Sequence, residues 1–196
     1  MNHITLHNHH LEADARTVFG FWIYIMSDCF LFAALFIVYA VLHNNTFGGL
    51  SAHDIFNLPF VLVETLILLS SSFTYGLTML AVHRHRKNTA LVLIAITILL
   101  GLSFVSLEIT EFSHLLADGT SWTRSGFLSA FFTLVGTHAL HVSLGLLWMF
   151  SLMIQIVDRG LTPHILRKLT ALGIFWHFLD IIWIFVFTIV YLLGAL

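Results

Sequence analysis

Charge is scarce in this sequence. Lys and Arg number 8 and Asp and Glu 10 among 196 residues, so charged side chains make up 9%. A soluble domain carries about a quarter charged residues; a soluble helical core protein is set aside because the apolar segments are too many and apolar around their whole circumference. Proline occurs only at Pro59 and Pro163. No apolar block therefore holds a proline break, and no internal repeat is visible. Both absences weigh against a secondary transporter, whose sites favour interrupted helices in repeated halves. Cysteine occurs once, as Cys29, so an intrachain disulfide is excluded and the redox compartment is not legible. A net charge of −2 gives no footing for a nucleic-acid partner.

What the sequence has instead is long apolar runs. Hydrophobic residues reach 59% and the mean hydropathy is +0.96. They fall in blocks that are apolar around the whole helical circumference. About 20 such residues span a hydrocarbon core of about 30 Å. Five blocks meet that length, at 18–42, 59–82, 90–113, 126–157 and 171–193. The expected fold is an all-α, multi-pass integral membrane bundle of five helices, a single domain over 18–196 behind a His-rich tail at 1–17. The first block is too long for a signal-peptide core and has no small-residue cleavage site, so it is expected to stay. The connections between blocks are too short to house a catalytic domain.

Arg16, Arg84, Arg86, Lys87, Arg159, Arg167 and Lys168 fall on the N-terminal side of the bundle, and Arg124 alone on the other. Such asymmetry predicts a cytoplasmic N-terminus and an outer, periplasmic C-terminus. The short basic turn at 83–88 predicts that the second and third helices are antiparallel neighbours. Pro59 suits the first turn of its helix, while Pro163 is assigned to a loop. Ser72 with Gly76 and Ala139 with Ser143 are candidates for close helix approach. Trp122 and Tyr191 are candidate interface anchors.

The informative residues are the ionisable ones inside the spans: Asp28, Glu64, Glu108, Glu111, His138, His141, His177 and Asp180. No Lys or Arg accompanies them. Each carboxyl must hold a proton, pair with histidine, or pair with another subunit. At about 1.5 Å per residue, Asp28, His138, His141, His177 and Asp180 fall near mid-membrane, and the glutamates form a second band nearer the outer side. A central Asp–His–His–Asp network is one expectation from depth. Three further uses are open: haem ligation by His138 or His141 with His177, a proton relay through Asp28, or a weak metal site. Against these stands the plain reading, a buried polar network that fixes helix order. His3, His7, His9 and His10 are read as a mobile solvated tail rather than a metal site.

Five segments in order then carry a resemblance. Gly20-Phe-Trp-Ile-Tyr-Ile-Met-Ser-Asp-Cys-Phe-Leu-Phe32 holds a buried acid after a serine. Leu58-Pro-Phe-Val-Leu-Val-Glu-Thr65, Glu108-Ile-Thr-Glu-Phe112, Gly136-Thr-His-Ala-Leu-His-Val142 and Trp176-His-Phe-Leu-Asp-Ile-Ile-Trp183 follow. Together they resemble subunit III of haem–copper terminal oxidases, over essentially the whole chain after the tail. Three positions depart from the common pattern: Asp28 stands where most relatives have Glu, Glu64 where they have Asn, and Glu108 where they have Gln. The five-helix form, the His-rich tail and Ser-Asp-Cys most resemble the bacterial, cytochrome bo-type ubiquinol-oxidising branch.

The resemblance implies a non-catalytic subunit, with no catalytic or metal residue of its own, in an aerobic respiratory complex of the bacterial inner membrane. Haem b, haem o and copper would belong to subunit I, and this chain would support subunit I and its proton uptake. The family's seven-helix members would correspond from their third helix onward. Partners would be subunit I, other oxidase subunits and membrane lipids. A phospholipid-filled cleft would set the first two spans apart from the rest, with Asp28 facing it. Glu64 and Glu108 would share a proton if adjacent. A cytochrome c oxidase subunit III, a freestanding b-type cytochrome and a carboxylate-lined proton carrier remain as alternatives.

Overall fold

The structure, a computed structural model, describes residues 3–46, 58–117, 119 and 122–194, with side chains from residue 19 onward. Five helices follow in order: α1 His3–Leu42, α2 Leu58–His83, α3 Lys87–Ala117, α4 Gly126–Arg159 and α5 Pro163–Val186, which runs on into a π-helical turn at Phe187–Leu192. All five are long and apolar enough to cross a membrane. No strand occurs among the described residues.

Helix ends follow local chemistry. Thr162 caps α5 by accepting from the Ile165 amide at 3.3 Å, and Pro163 takes the first helical position, where its missing N–H costs nothing. Pro163 is thus a helix start rather than a loop residue, and α5 begins well before 171. Arg167 and Lys168 mask this stretch in hydropathy, yet Ile165 and Leu169 on the same turns are buried. The Ser125 hydroxyl accepts from the Leu128 amide and caps α4, while Gly160, at φ 71°, closes its far end through an N–H bond to Ile156 O. α1 is helical back to His3, because no Pro or Gly interrupts residues 3–17. The side chains of His3, His7, His9 and His10 lie outside the described residues.

α2 and α3 turn tightly at His85, which adopts φ 53°, with Arg86 N bonded to Ala81 O and His85 N to Val82 O, both at 3.0 Å. They form the most extensive helix pair, as the short basic turn predicts. α4 packs on α3, α5 and α1, and α5 also packs on α2 and α1. α5 is therefore the central helix, over half of it buried where each of the others is a third buried or less. The expectation that the first two spans form a separate pair is not met. α1 lies against α4 and α5, and α2 against α3 and α5, because the large side chains that anchor α5 project toward both.

Aromatic side chains make three of the hydrogen bonds that fix α5 against α2. Trp176 Nε1 donates to Ser71 Oγ at 3.2 Å, Trp183 Nε1 to Thr65 Oγ1 at 3.0 Å, and Tyr75 Oη to Leu169 O at 2.7 Å. The bulk of these rings is admitted by glycines on facing helices. A Cβ on Gly173 would stand 2.9 Å from Tyr75 Cε1, and one on Gly101 would stand 2.7 Å from Leu146 Cδ2. Close approach is therefore at Gly101, Gly145 and Gly173, not at Gly76, which has open space around it. Lys87 Nζ, at the basic end, donates to Val157 O at 2.9 Å and satisfies a terminal carbonyl of α4.

Candidate functional site

The eight candidate residues separate into four places. On the α1–α4 side, Asp28 Oδ2 stands 3.9 Å from His141 Nε2. His141 Nδ1 bonds its own helix at Thr137 O, 2.8 Å away. That bond to a carbonyl puts the ring proton on Nδ1 and turns Nε2 toward the acid. The Tyr24 hydroxyl reaches toward the same carboxyl from one turn earlier.

On the α2–α5 side, Ser72 Oγ bonds His177 Nδ1 at 2.6 Å, and Asp180 Oδ2 lies 3.7 Å from the same nitrogen. His177 is half-exposed while Asp180 is buried. Both contacts meet one nitrogen, so this is an anchoring contact and not a relay through the ring.

His138 is fully buried between these places, and neither ring nitrogen has a hydrogen-bond partner among the described residues. Its ring stacks on Trp183 at 5.1 Å and 30°, with the edges of Phe104 at 6.0 Å and Phe32 at 6.3 Å. The central Asp–His–His–Asp network expected from depth is thus not assembled. Asp28 pairs with His141, Asp180 with His177, and no ion pair or hydrogen bond among the described residues joins the pairs. Haem does not fit either. A planar macrocycle ligated by His138 would have to displace Trp183 and Phe104 from its ring, while His141 and His177 are turned to different helices.

The fourth place is the one where ionisable groups converge. Glu64 from α2 and Glu108 and Glu111 from α3 each bring a carboxylate oxygen within 4.8 Å of the others. Glu64 and Glu108 are 0% and 1% exposed, and Glu111 is partly exposed. All four oxygens of Glu64 and Glu108 are without a hydrogen-bond partner among the described residues. Tyr191 donates to Glu111 Oε2 at 3.2 Å. Tyr191 is therefore a core residue and not the interface anchor it resembled, whereas Trp122 is exposed as an anchor should be. The π-helical turn, closed by Leu193 N to Thr188 O at 3.0 Å, helps to set this register of Val190 and Tyr191. Tyr39 on α1 donates to Val190 O at 3.4 Å.

Sequence spacing flagged all three glutamates. It missed Tyr191, Trp183 and Tyr24 as partners, because an aromatic in an apolar run gives no sign of which neighbour its polar atom meets. Ser72 was visible only as a small residue.

Comparison with known proteins adds the family. The sequence model described as "Cytochrome c oxidase subunit III" matches residues 2–195. The chain is 57% identical over 190 residues to "Cytochrome bo(3) ubiquinol oxidase subunit 3" of Pseudomonas aeruginosa, covering 97% of this chain and 91% of that one. It is 54% identical over 185 residues to the protein of that name from Pseudomonas putida, covering 94% and 89%. It is 41% identical over 186 residues to "Quinol oxidase subunit 3" of Bacillus subtilis, covering 93% and 90%. Five apolar helices in the described residues, the two histidine-bearing helices in their expected order, and a match along nearly the whole chain agree: this protein belongs to the cytochrome c oxidase subunit III family.

Proposed function

We propose that the chain is the third, non-catalytic subunit of a proton-pumping, cytochrome bo-type ubiquinol oxidase in a bacterial inner membrane. Such a complex couples ubiquinol oxidation to reduction of oxygen to water. The observation that carries this reading is the likeness, over 97% of the chain, to a relative named for that complex. In this reading haem b, haem o and copper reside in subunit I. The histidines inside the spans then serve packing: buried His138 fills a space walled by aromatic rings, and His141 and half-exposed His177 hold helices together.

The N-terminus is cytoplasmic and the C-terminus periplasmic, on the asymmetry of Lys and Arg between the two ends. The five helices correspond to the last five of the family's seven-helix members. Partners are subunit I, the other oxidase subunits and lipid. The outward face of α1, with Phe19, Trp22, Ile23, Phe30 and Val41 exposed, supplies apolar surface for lipid chains or a neighbouring helix.

The test is to tag the chain in its native membrane, extract it gently, and record the haem spectrum and subunit masses of what co-purifies. A larger multi-span chain in equal amount that keeps all the haem after this chain is stripped away supports the reading. Haem that stays with this chain alone overturns it. Steady-state oxidation by ubiquinol, against none by reduced cytochrome c, separates the two members of the family between which the donor lies.

A further inference from the structure

Two buried carboxyls and a partly open third meet at one place, with Lys87 at the opposite end of α3, and set an electrostatic problem that the fold itself leaves open. Glu64, Glu108 and Glu111 bring oxygens within 4.8 Å of one another. Like charges at that separation, away from water, cannot all be present. Every described group that faces the site is acidic or neutral. α2 supplies Glu64, α3 supplies Glu108 and Glu111, and the π-helical turn supplies Tyr191, whose hydroxyl goes to Glu111. Tyr39 from α1 turns its hydroxyl to the Val190 carbonyl rather than to a carboxyl. At the same end of the bundle, Arg124 donates to Gly119 O at 3.1 Å, in the α3–α4 connection.

Among the described residues none supplies a cation to the site, so the neutralising species considered is small and comes from solution. Two candidates exist, a proton or a metal cation. A divalent cation binds as a hydrated ion and needs several oxygens besides carboxylates, often water. The site offers it two carboxyls at 0% and 1% exposure and only one partly open. A proton needs no such space. It can enter at the open carboxyl and pass to a sealed one a few ångströms away. Glu111 and Glu108 lie three residues apart on α3, which keeps them on one side of that helix.

We propose that Glu64, Glu108 and Glu111 form one shared proton-binding site. It exchanges with the aqueous phase at the end of the bundle away from the basic turns, through Glu111 under the Tyr191 hydroxyl. The unpartnered oxygens of Glu64 and Glu108 are the storage positions. Glu111 is the entry position, and Tyr191 orients it by the 3.2 Å hydrogen bond. A proton taken up from water at Glu111 passes to Glu108 or Glu64, and release retraces the same steps, so the site gains and loses protons without any other reactant. The site stands on this chain's own side chains, whichever complex carries it.

The experiment is infrared spectroscopy on the intact native assembly that carries the tagged chain, with pH steps and transfer into heavy water. The C=O stretch of protonated carboxyls is the signal. Glu64→Gln is expected to remove one component and also to displace what remains, in frequency and in titration midpoint, because the groups share their protons. Tyr191→Phe keeps the ring but removes the hydroxyl, and is expected to alter the rate of hydrogen–deuterium exchange of the remaining signal severalfold. Glu111→Gln is expected to slow that exchange further. If Glu64→Gln removes one component and leaves the rest untouched, and Tyr191→Phe and Glu111→Gln leave exchange unchanged, the shared site is refuted. Metal analysis of the same preparation decides the competing occupant. One equivalent of a divalent cation that disappears in Glu108→Gln would also overturn the proposal. Should Glu108→Gln fail to assemble, the same cation displaced from the native assembly by chelator, with appearance of new protonated-carboxyl signal, has the same meaning.

Discussion

The carboxyl-rich end and the middle of this bundle handle the same difficulty in opposite ways. At the end, Glu64, Glu108 and Glu111 from two helices come together with a tyrosine from a third segment. In the middle, five ionisable residues at comparable depth are kept apart, as Asp28 with His141, His177 with Asp180 and Ser72, and His138 alone among aromatic rings. The difference follows from which helix each side chain meets. α2 and α3 pack closely along their length and bring their glutamates to one spot. In the middle, α5 sits between α1, α2 and α4, and the indole of Trp183 fills the space that a continuous polar network would need. Concentrating acids makes a group that acts as a unit, whereas dispersing them sets each acid beside a histidine, at 3.9 Å for Asp28 and 3.7 Å for Asp180.

The largest effect expected from breaking this arrangement is at the divider itself. Trp183→Ala removes a buried indole, its bond to Thr65 and the ring on which His138 stacks, and should cost about 3–5 kcal/mol. The measurement is loss of this chain from the purified complex on heating. An unchanged retention temperature would show that Trp183 does not hold the middle apart. Next is Gly101→Ala, where the added methyl meets Leu146 at 2.7 Å and Trp176 at 3.2 Å. About 1–3 kcal/mol of destabilisation is expected from such overpacking, and Gly76→Ala, with open space, serves as the control with none.

The comparison is tested most directly by two double-mutant cycles on the same stability readout. Glu64→Gln with Glu108→Gln should show a coupling of about 0.5–3 kcal/mol, since the groups touch one site. Asp28→Asn with Asp180→Asn should be additive within about 0.5 kcal/mol. Equal coupling in both cycles would erase the distinction between the regions. The smallest effects are expected from Ser72→Ala, at about 0.6 kcal/mol for one interhelical hydrogen bond in a membrane, and from the single Asp28→Asn substitution on haem content of the complex, which should not change.

Much of the fold was legible in the chain. The four inter-span connections follow the apolar blocks to within a few residues, apart from the starts of α1 and α5. There Pro163 and Thr162 are a start signal, but two basic residues on the first turns hid it under a hydropathy criterion. Spacing also misled in the middle. His138 and His141 are three residues apart, yet three residues is about 300° around a helix, and the remaining angle is enough to send one ring to Trp183 and the other toward Asp28. Tyr191 was misread for a related reason, since its position near a helix end suits an interface anchor equally well.

The sequence by itself determined the number of crossings, their order, the basic asymmetry between the two ends and the family, because each depends on composition along a single helix or on local motifs. It also named the ionisable residues inside the spans that had to be accommodated, since an ionisable group in an apolar span must be paired or held neutral. Only the tertiary structure decided the partners. Whether two acids meet depends on helix order, on rotation about each axis and on where glycines let aromatic rings through. Those are relations between segments far apart in the chain, fixed by how side-chain volumes fill the space between helices, and no single helix carries them.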